Sequence, residues 1–416
     1  MLTNIIRLVA CVPETSKCAA HSVALSLLLS PGLLIIDHIH FQYNGFMYGL
    51  ILLSILLARS PPTHLLSAVL FASVLCIKHI YLYLAPAYFV YFLRNYCMGP
   101  NLSSRHLIRH IRFKNCFKLS AAVLTIFGAS FGPFAYWGQL PQLGARLFPF
   151  SRGLCHAYWA PNVWALYSLV DRTLIFFAPR LGFHVQTAAI NSVTRGLIGD
   201  TAFAVLPEIS PRLTFLLTVI FQLLPLMKLF ARPSFENFIG AVTLCAYASF
   251  LFGWHVHEKA ILLVIFPFRF VSPVFDLDYR LSYLTNCANS LLALKDYRHF
   301  ATFCPLVVAG HFSLFPLLFT APELPIKIVY TAMWLVVFLV TFEKLVTVSS
   351  TGPGWFLSWA STFFIMLSIP LITYTSFIHG IFFRDKYEFL PLLLTSSYSA
   401  VGIVASWIGF FWLYFV

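Results

Sequence analysis

Apolar runs too long and too numerous for any soluble core dominate this chain. They fall at about residues 21–36, 45–58, 64–77, 80–97, 119–138, 162–178, 213–230, 238–254, 260–272, 301–320, 327–342, 355–372 and 389–416. Only 10% of the 416 residues are charged, against about 25% in soluble domains, and the mean hydropathy is +0.83. A helix needs roughly 20 apolar residues to cross a bilayer, or about 17 at the least. Several runs sit at or below that limit. The sequence therefore predicts an all-α polytopic membrane protein with about 10–12 transmembrane helices, the remaining runs being re-entrant or interfacial. Residues 1–20 read as an irregular N-terminal segment without the apolar core and cleavage site of a signal peptide. Residues 21–416 read as one transmembrane domain without a visible repeat.

Net charge is +13, from 27 Lys+Arg against 14 Asp+Glu. No basic stripe is interleaved with stacking aromatics, which excludes nucleic acid as a partner. The excess is what the positive-inside rule gives. Residues 104–118 hold Arg105, Arg109, Arg112, Lys114 and Lys118 and mark a cytosolic loop. The sequon Asn101-Leu102-Ser103 would then never meet its transferase. Counting spans outward puts 139–161 and Asp37–Asn44 on the luminal side. Forward counting leaves two options for residues 254–259. Strict alternation makes them cytosolic. A cytosolic loop at 228–237, with 162–178 re-entrant or 179–212 luminal, makes them luminal, and this option is preferred because it unites the two polar clusters below.

Those clusters are the places to look for chemistry, because ionisable groups at membrane depth are expensive. The first holds Asp37, His38, His40, Gln42, Tyr43 and Asn44. Read as extended chain it turns His38 and His40 to one face, with Asn44-Gly45 as a turn before the next helix. The second is Trp254-His255-Val256-His257-Glu258-Lys259. Read as helix it aligns His255 with Glu258 and Lys259 and turns His257 elsewhere. Such clusters can grip phosphate, move protons or ligate metal; the plain alternatives are a hydrated helix end and a buried His–Glu pair. Nothing in the spacing demands a metal, and no cofactor motif occurs. Lys78 and His79 follow a third apolar run, where Lys78 either meets phosphate or snorkels to the headgroups. In 139–161, Arg146, Arg152, His156 and Trp159 suit either an interfacial aromatic belt or stacking on sugars with arginines on phosphate. The nine cysteines are scattered singly and read as small apolar residues, with Cys155 the one best placed to meet an oxidising compartment.

Asp37–Asn44, Arg146–Gly153 and His257–Leu262 resemble the endoplasmic-reticulum glucosyltransferases that use dolichyl-phosphate glucose in lipid-linked oligosaccharide assembly, a family with the C-type membrane glycosyltransferase fold. Gly153–Asn162 and Ser313–Lys327 look like one branch of it, whose reaction adds glucose in alpha-1,3 linkage to a monoglucosylated glycan on dolichyl pyrophosphate. The resemblance implies an inverting hexosyltransferase of N-glycosylation in the bilayer of that membrane, with a dolichyl-phosphate glucose donor, a dolichyl-pyrophosphate oligosaccharide acceptor and a luminal cavity lined by His38, His40, Lys78, Arg152, His255, His257 and Glu258. Two departures stand out. The family's catalytic base lies in a first luminal loop to which none of this chain's acidic residues matches, so the 416 residues alone are expected to be inactive. Residues 269–300 look inserted. A transporter built on midplane polar groups and a non-catalytic dolichyl-lipid-binding protein are the other readings the sequence leaves open.

Overall fold

A computed structural model of the chain describes residues 14–98, 111–148, 153–155, 159–189, 203–269, 297–349, 359–383 and 386–416. Its helices are α1 (Glu14–Leu28), α2 (Asn44–Leu57), α3 (His64–Ile77), α4 (Ala85–Phe92), α5 (Phe113–Tyr136), α6 (Leu140–Leu147), α7 (Val163–Leu181), α8 (Pro211–Ala231), α9 (Phe235–Phe252), α10 (Leu262–Arg269), α11 (Tyr297–Phe312), α12 (Thr331–Ser349), α13 (Trp359–Thr373), α14 (His379–Phe382) and α15 (Leu390–Phe415). Among the described residues the β-type pairing is a single isolated bridge, Cys155 to Val256. Eight helical stretches are long and apolar enough to cross a membrane: His21–Ile39, Phe113–Tyr136, Pro211–Ala231, Phe235–Phe252, Arg298–Leu317, Ala321–Lys344, Trp359–Phe382 and Leu390–Phe415. Two shorter apolar helices, Asn44–Leu57 and Pro61–Ile77, join them. The protein is a multi-pass, all-helical membrane protein. Residues 270–296, most of the segment read as inserted, lie outside the described residues.

The apolar runs become helices because lipid offers no partner for backbone N–H and C=O groups. Their ends are set by local polar chemistry. Asn162 caps α7 by accepting from the Trp164 and Ala165 amides at 3.1 and 3.3 Å. Ser210 and Ser234 cap α8 and α9 in the same way. Gly182, left-handed at φ 70°, ends α7, a conformation that favours glycine. The run at 80–97 is not one helix: α4 is framed by a 3-10 segment, His79–Leu84, and a π segment, Leu93–Met98.

The core sits around α9, where every residue from Phe238 to Phe252 is buried. Against it lie α8, α10 and α15, and α11 packs on α15. Small residues permit the close approach: a Cβ at Gly240 would meet the Tyr414 ring at 2.5 Å, and one at Gly310 would meet Ile265 at 2.6 Å. This is how spanning helices associate where apolar burial supplies no drive between them. Polar side chains inside pair where they meet, as Tyr247 with Ser406 at 2.8 Å. By contrast, α5 buries none of its apolar face within the described residues and presents Phe117 and Leu124 outward, as a lipid-facing helix does.

Two ends of the bundle can be told apart by long-range bonds. At one, Arg94 donates to the Phe230 carbonyl at 2.6 Å and Asn95 to the Pro233 carbonyl at 2.9 Å, so the α8–α9 turn with Lys228 and Arg232 lies beside the end of the π segment. The chain then returns along α9 to the opposite end, where Trp164 donates to the Gly253 carbonyl at 3.1 Å. Midway along α7, Asp171 accepts the amides of Ala204, Val205 and Leu206 at 2.9–3.1 Å. The stretch preceding α8 thus folds back onto α7. Lys78 binds Asn44 and has Lys259 in electrostatic reach, so the two His-x-His segments lie at one end.

Candidate functional site

The first cluster is not extended. Leu34–Ile39 is a π-helical turn following the short helix Pro31–Leu33, so His38 and His40 leave the backbone in different directions. His38 is exposed, whereas His40 is half-buried with its Nε2 enclosed. The expected shared face fails because apolar Ile35 and Ile36, both fully buried, hold the segment in helical register through Ile39. Phe41 takes φ 50° and reverses the chain. Asn44-Gly45, expected as a turn, is instead the first pair of residues of α2.

That reversal creates the strongest polar network at this end. Tyr43, the residue before α2, offers no side-chain cap. The Asp37 carboxylate takes that place: Oδ1 accepts from the Asn44 amide at 2.9 Å, and Oδ2 accepts from the Gly45 amide. A carboxylate is at its best against the free N–H groups and positive dipole of a helix start. The Asn44 amide group donates to Asp37 Oδ1 at 3.0 Å and to Gln42 Oε1 at 3.1 Å. Its Oδ1 accepts from Lys78 Nζ at 2.6 Å. Lys78, just past the end of α3, also lies 5.9 Å from the Tyr43 ring centre. It is tied inward and does not snorkel.

Burial holds the Lys78 ammonium below the usual lysine range; Asp37 pulls it up and Lys259 pushes it further down. Thus Lys259, 181 positions away in sequence, shares its neighbourhood with Lys78. His79 is likewise lowered by burial and by Lys78 and meets Phe148 edge-on at 6.3 Å. Beneath the network lies an aromatic floor that the sequence did not announce. Tyr48 stacks on Phe266 at 4.4 Å and meets Tyr81 edge-on at 5.9 Å.

The second cluster is not a helix either. His255 adopts φ 51°, donates its amide to the Leu154 carbonyl at 3.1 Å and places Nδ1 2.7 Å from the Gly153 carbonyl. Val256 bridges Cys155, and helical turns resume only at Glu258. The expected alignment of His255 with Glu258 and Lys259 is therefore lost: cross-chain bonds to 153–155 override helical spacing. The His255 and His257 rings lie 5.8 Å apart, edge to face. Glu258 is buried, and desolvation raises its carboxyl above the usual range while Lys259 partly opposes this. Burial also pushes the Cys155 thiol up to about 12. It forms no disulfide among the described residues, and a raised thiol holds little thiolate at neutral pH.

The loop at 139–161 is partly helical, through α6. Arg146, in the last turn of α6, is exposed and makes no hydrogen bond or ion pair among the described residues. Trp159 is buried at φ 28°. Arg152 and His156 lie outside the described residues. Among the described residues no group of three or more His, Cys, Asp and Glu is placed to hold a metal ion. The structure thus joins Asp37, Gln42, Tyr43, Asn44 and Lys78 directly, brings Lys259 beside them, and separately joins His255 to His257.

This geometry meets a consistent set of relatives. The model of the ALG6, ALG8 glycosyltransferase family matches residues 1–290 and 281–410. The chain belongs to that family. A Neurospora crassa protein named dolichyl pyrophosphate Glc1Man9GlcNAc2 alpha-1,3-glucosyltransferase is 59% identical over 403 residues, covering 97% of this chain and 75% of its own length. A Chaetomium globosum protein of the same name is 60% identical, covering 96% and 79% respectively. One from Schizosaccharomyces pombe, again so named, is 50% identical, covering 94% and 72%. As an ALG6, ALG8 family member the chain is a hexosyltransferase, and the transporter reading falls away.

Proposed function

We propose that this protein transfers glucose from dolichyl-phosphate glucose, in alpha-1,3 linkage, to the monoglucosylated oligosaccharide on dolichyl pyrophosphate, in the endoplasmic reticulum membrane with its site open to the lumen. The names of its relatives support the reaction. The observation that carries the site is the pair Lys78 and Lys259. Lys78 is desolvated with Lys259 in electrostatic reach, Asp37 offsets this in part, and Asp37 already holds two backbone amides. An anionic phosphate entering that corner would relieve Lys78.

In the transfer, a base takes the acceptor hydroxyl proton, the hydroxyl oxygen bonds to the anomeric carbon, and the bond to phosphate breaks with its electron pair leaving on the phosphate. Lys78 has three N–H donors, of which Asn44 uses one, so it can donate to a phosphate as well. Lys78 and Lys259, with Arg152 and Arg146 by proposal, stabilise charge on the departing phosphate. The histidines at 38, 40, 79, 156, 255 and 257, with Trp159, serve phosphate and sugar hydroxyls. Glu258, buried and raised above the usual carboxylate range, is placed as a positioning group. The base stays unassigned among the described carboxylates. We also propose that 269–300 is an insertion into the single domain 21–416, the two family matches meeting within it at 281–290.

The test is glucose transfer from dolichyl-phosphate glucose to a labelled monoglucosylated acceptor by the full-length protein in microsomes. Transfer is expected, with Lys78→Gln lowering kcat/KM about 100-fold, the scale of losing a charge-assisted contact to phosphate (about 2.7 kcal/mol). A folded protein that binds both lipids and transfers nothing would refute the activity.

A further inference from the structure

The segment after α11 is the part of this end that the network above does not use. Three contacts pin its base beside the first cluster. His311 Nε2 lies 3.2 Å from Ser30 Oγ. A Cβ built on Gly32 would meet Leu262 at 2.7 Å and Leu314 at 3.4 Å, which puts Leu314 between the start of the π turn and the helix following Lys259. Tyr330 donates to the Leu29 carbonyl at 2.8 Å. The segment between these anchors, Phe319–Glu323, must therefore project at the end where Asp37–Asn44 lies, and Glu323 is within electrostatic reach of His40.

What projects is an aromatic ring and a carboxylate four residues apart. Phe319 is 76% exposed, and Glu323 is half-buried. The two are held in fixed relation by a capping box, in which the Thr320 amide donates to Glu323 Oε2 at 2.9 Å. Lys327 lies over the Phe315 ring at 5.8 Å and closes the segment from behind. A carboxylate needs water or hydroxyl partners and so excludes burial in lipid for this turn. An aromatic face next to a carboxylate is the chemistry that takes a pyranose: the ring face covers C–H groups and the carboxylate accepts from hydroxyls.

Resting on the glucosyltransferase reading above, we infer that Phe319 and Glu323, with His40 opposite, form the subsite that reads the terminal glucose of the acceptor, and so set the choice of a glucosylated over an unglucosylated chain. The donor phosphate is held at Lys78 and the acceptor sugar at the 319–323 turn, from the two sides of the first cluster.

The experiment measures binding and transfer separately. In the first arm, the full-length protein in detergent is titrated with a soluble glucose-terminated mannose oligosaccharide and its unglucosylated counterpart. Wild type is expected to prefer the glucosylated glycan about tenfold. Phe319→Ala and Glu323→Gln are each expected to remove most of that preference. Gln can keep the capping box, and Phe319 is exposed, so both variants fold; Phe319→Tyr is expected to retain binding. In the second arm, transfer kinetics are expected to show the acceptor KM rising about tenfold while the donor KM changes less than twofold. Unchanged glycan preference in both variants, or a donor KM that moves instead, overturns the proposal. Glycan preference lost in the variants while wild type transfers no glucose would leave the subsite standing and overturn the reaction.

Discussion

At the scale of single residues, the chemistry of this protein is concentrated on Lys78. Its ammonium is lowered by burial and by Lys259 and raised by Asp37. As pH rises, Lys78 therefore loses its proton earlier than an ordinary lysine, and donor binding weakens on the alkaline side. Lys259→Gln removes the charge that pushes Lys78 down, so the alkaline limb of the kcat/KM profile is expected to move to higher pH. Asp37→Asn removes the charge that holds it up, and the limb should move lower. A pH–rate profile of both variants checks the opposite signs. The sequence showed Asp37, Asn44 and Lys78 as candidates because polar residues stand out in an apolar chain. It could not show that Asn44 also holds Lys78, nor that Lys259 lies near Lys78, since those contacts span 34 and 181 positions. Asp171 was missed altogether. Lying inside an apolar run, it gave no sign that its carboxylate would take three amides from 204–206.

At the scale of elements, local rules were overridden where segments cross. His-x-His suggested strand spacing at 38–40 and Glu258 suggested helix spacing at 255–259, yet a π turn and a cross-chain bridge replaced them. Phe41, Trp159 and His255, all with positive φ, mark these crossings, and such backbone costs about 1–3 kcal/mol for each residue. The helices themselves were legible, because in lipid a long apolar run has one structural solution. The segment that Asp171 pins should come free when its carboxylate is removed. Asp171→Ala leaves the buried Ala204 amide without its acceptor, at about 1–3 kcal/mol, and frees the half-buried amides of Val205 and Leu206. Faster hydrogen exchange at 203–207 is expected, with α9 unchanged. Between α9 and α15 the contact at Gly240 has no room for a side chain. Gly240→Leu should lower the thermal midpoint by several degrees or prevent folding, as overpacked interfaces do, and detergent-solution melting curves would show it.

For the whole molecule, the two ends differ in chemistry, and membrane orientation follows from that difference. The end with Arg94, Lys228 and Arg232 is expected in the cytosol and the Lys78 end in the lumen. Single cysteines placed at Arg232 and at Phe319 in a background without other reactive cysteines test this in sealed microsomes. An impermeant maleimide added outside should label the first at once and the second only after the membrane is opened. The bare faces of α5, together with α13, which is also mostly unburied, give the bundle its lipid-facing flank.

The network of Asp37, Asn44 and Lys78 also has a genetic consequence. Asn44 begins α2, receives the Asp37 carboxylate on its amide and fixes the Lys78 ammonium, so one side chain belongs at once to a helix start and to a cation site. Changes at the three positions will not add: once any one is lost, the others have little left to contribute, and the triple variant should behave much like the worst single. Once one of the three has changed, further change at the other two is therefore close to neutral.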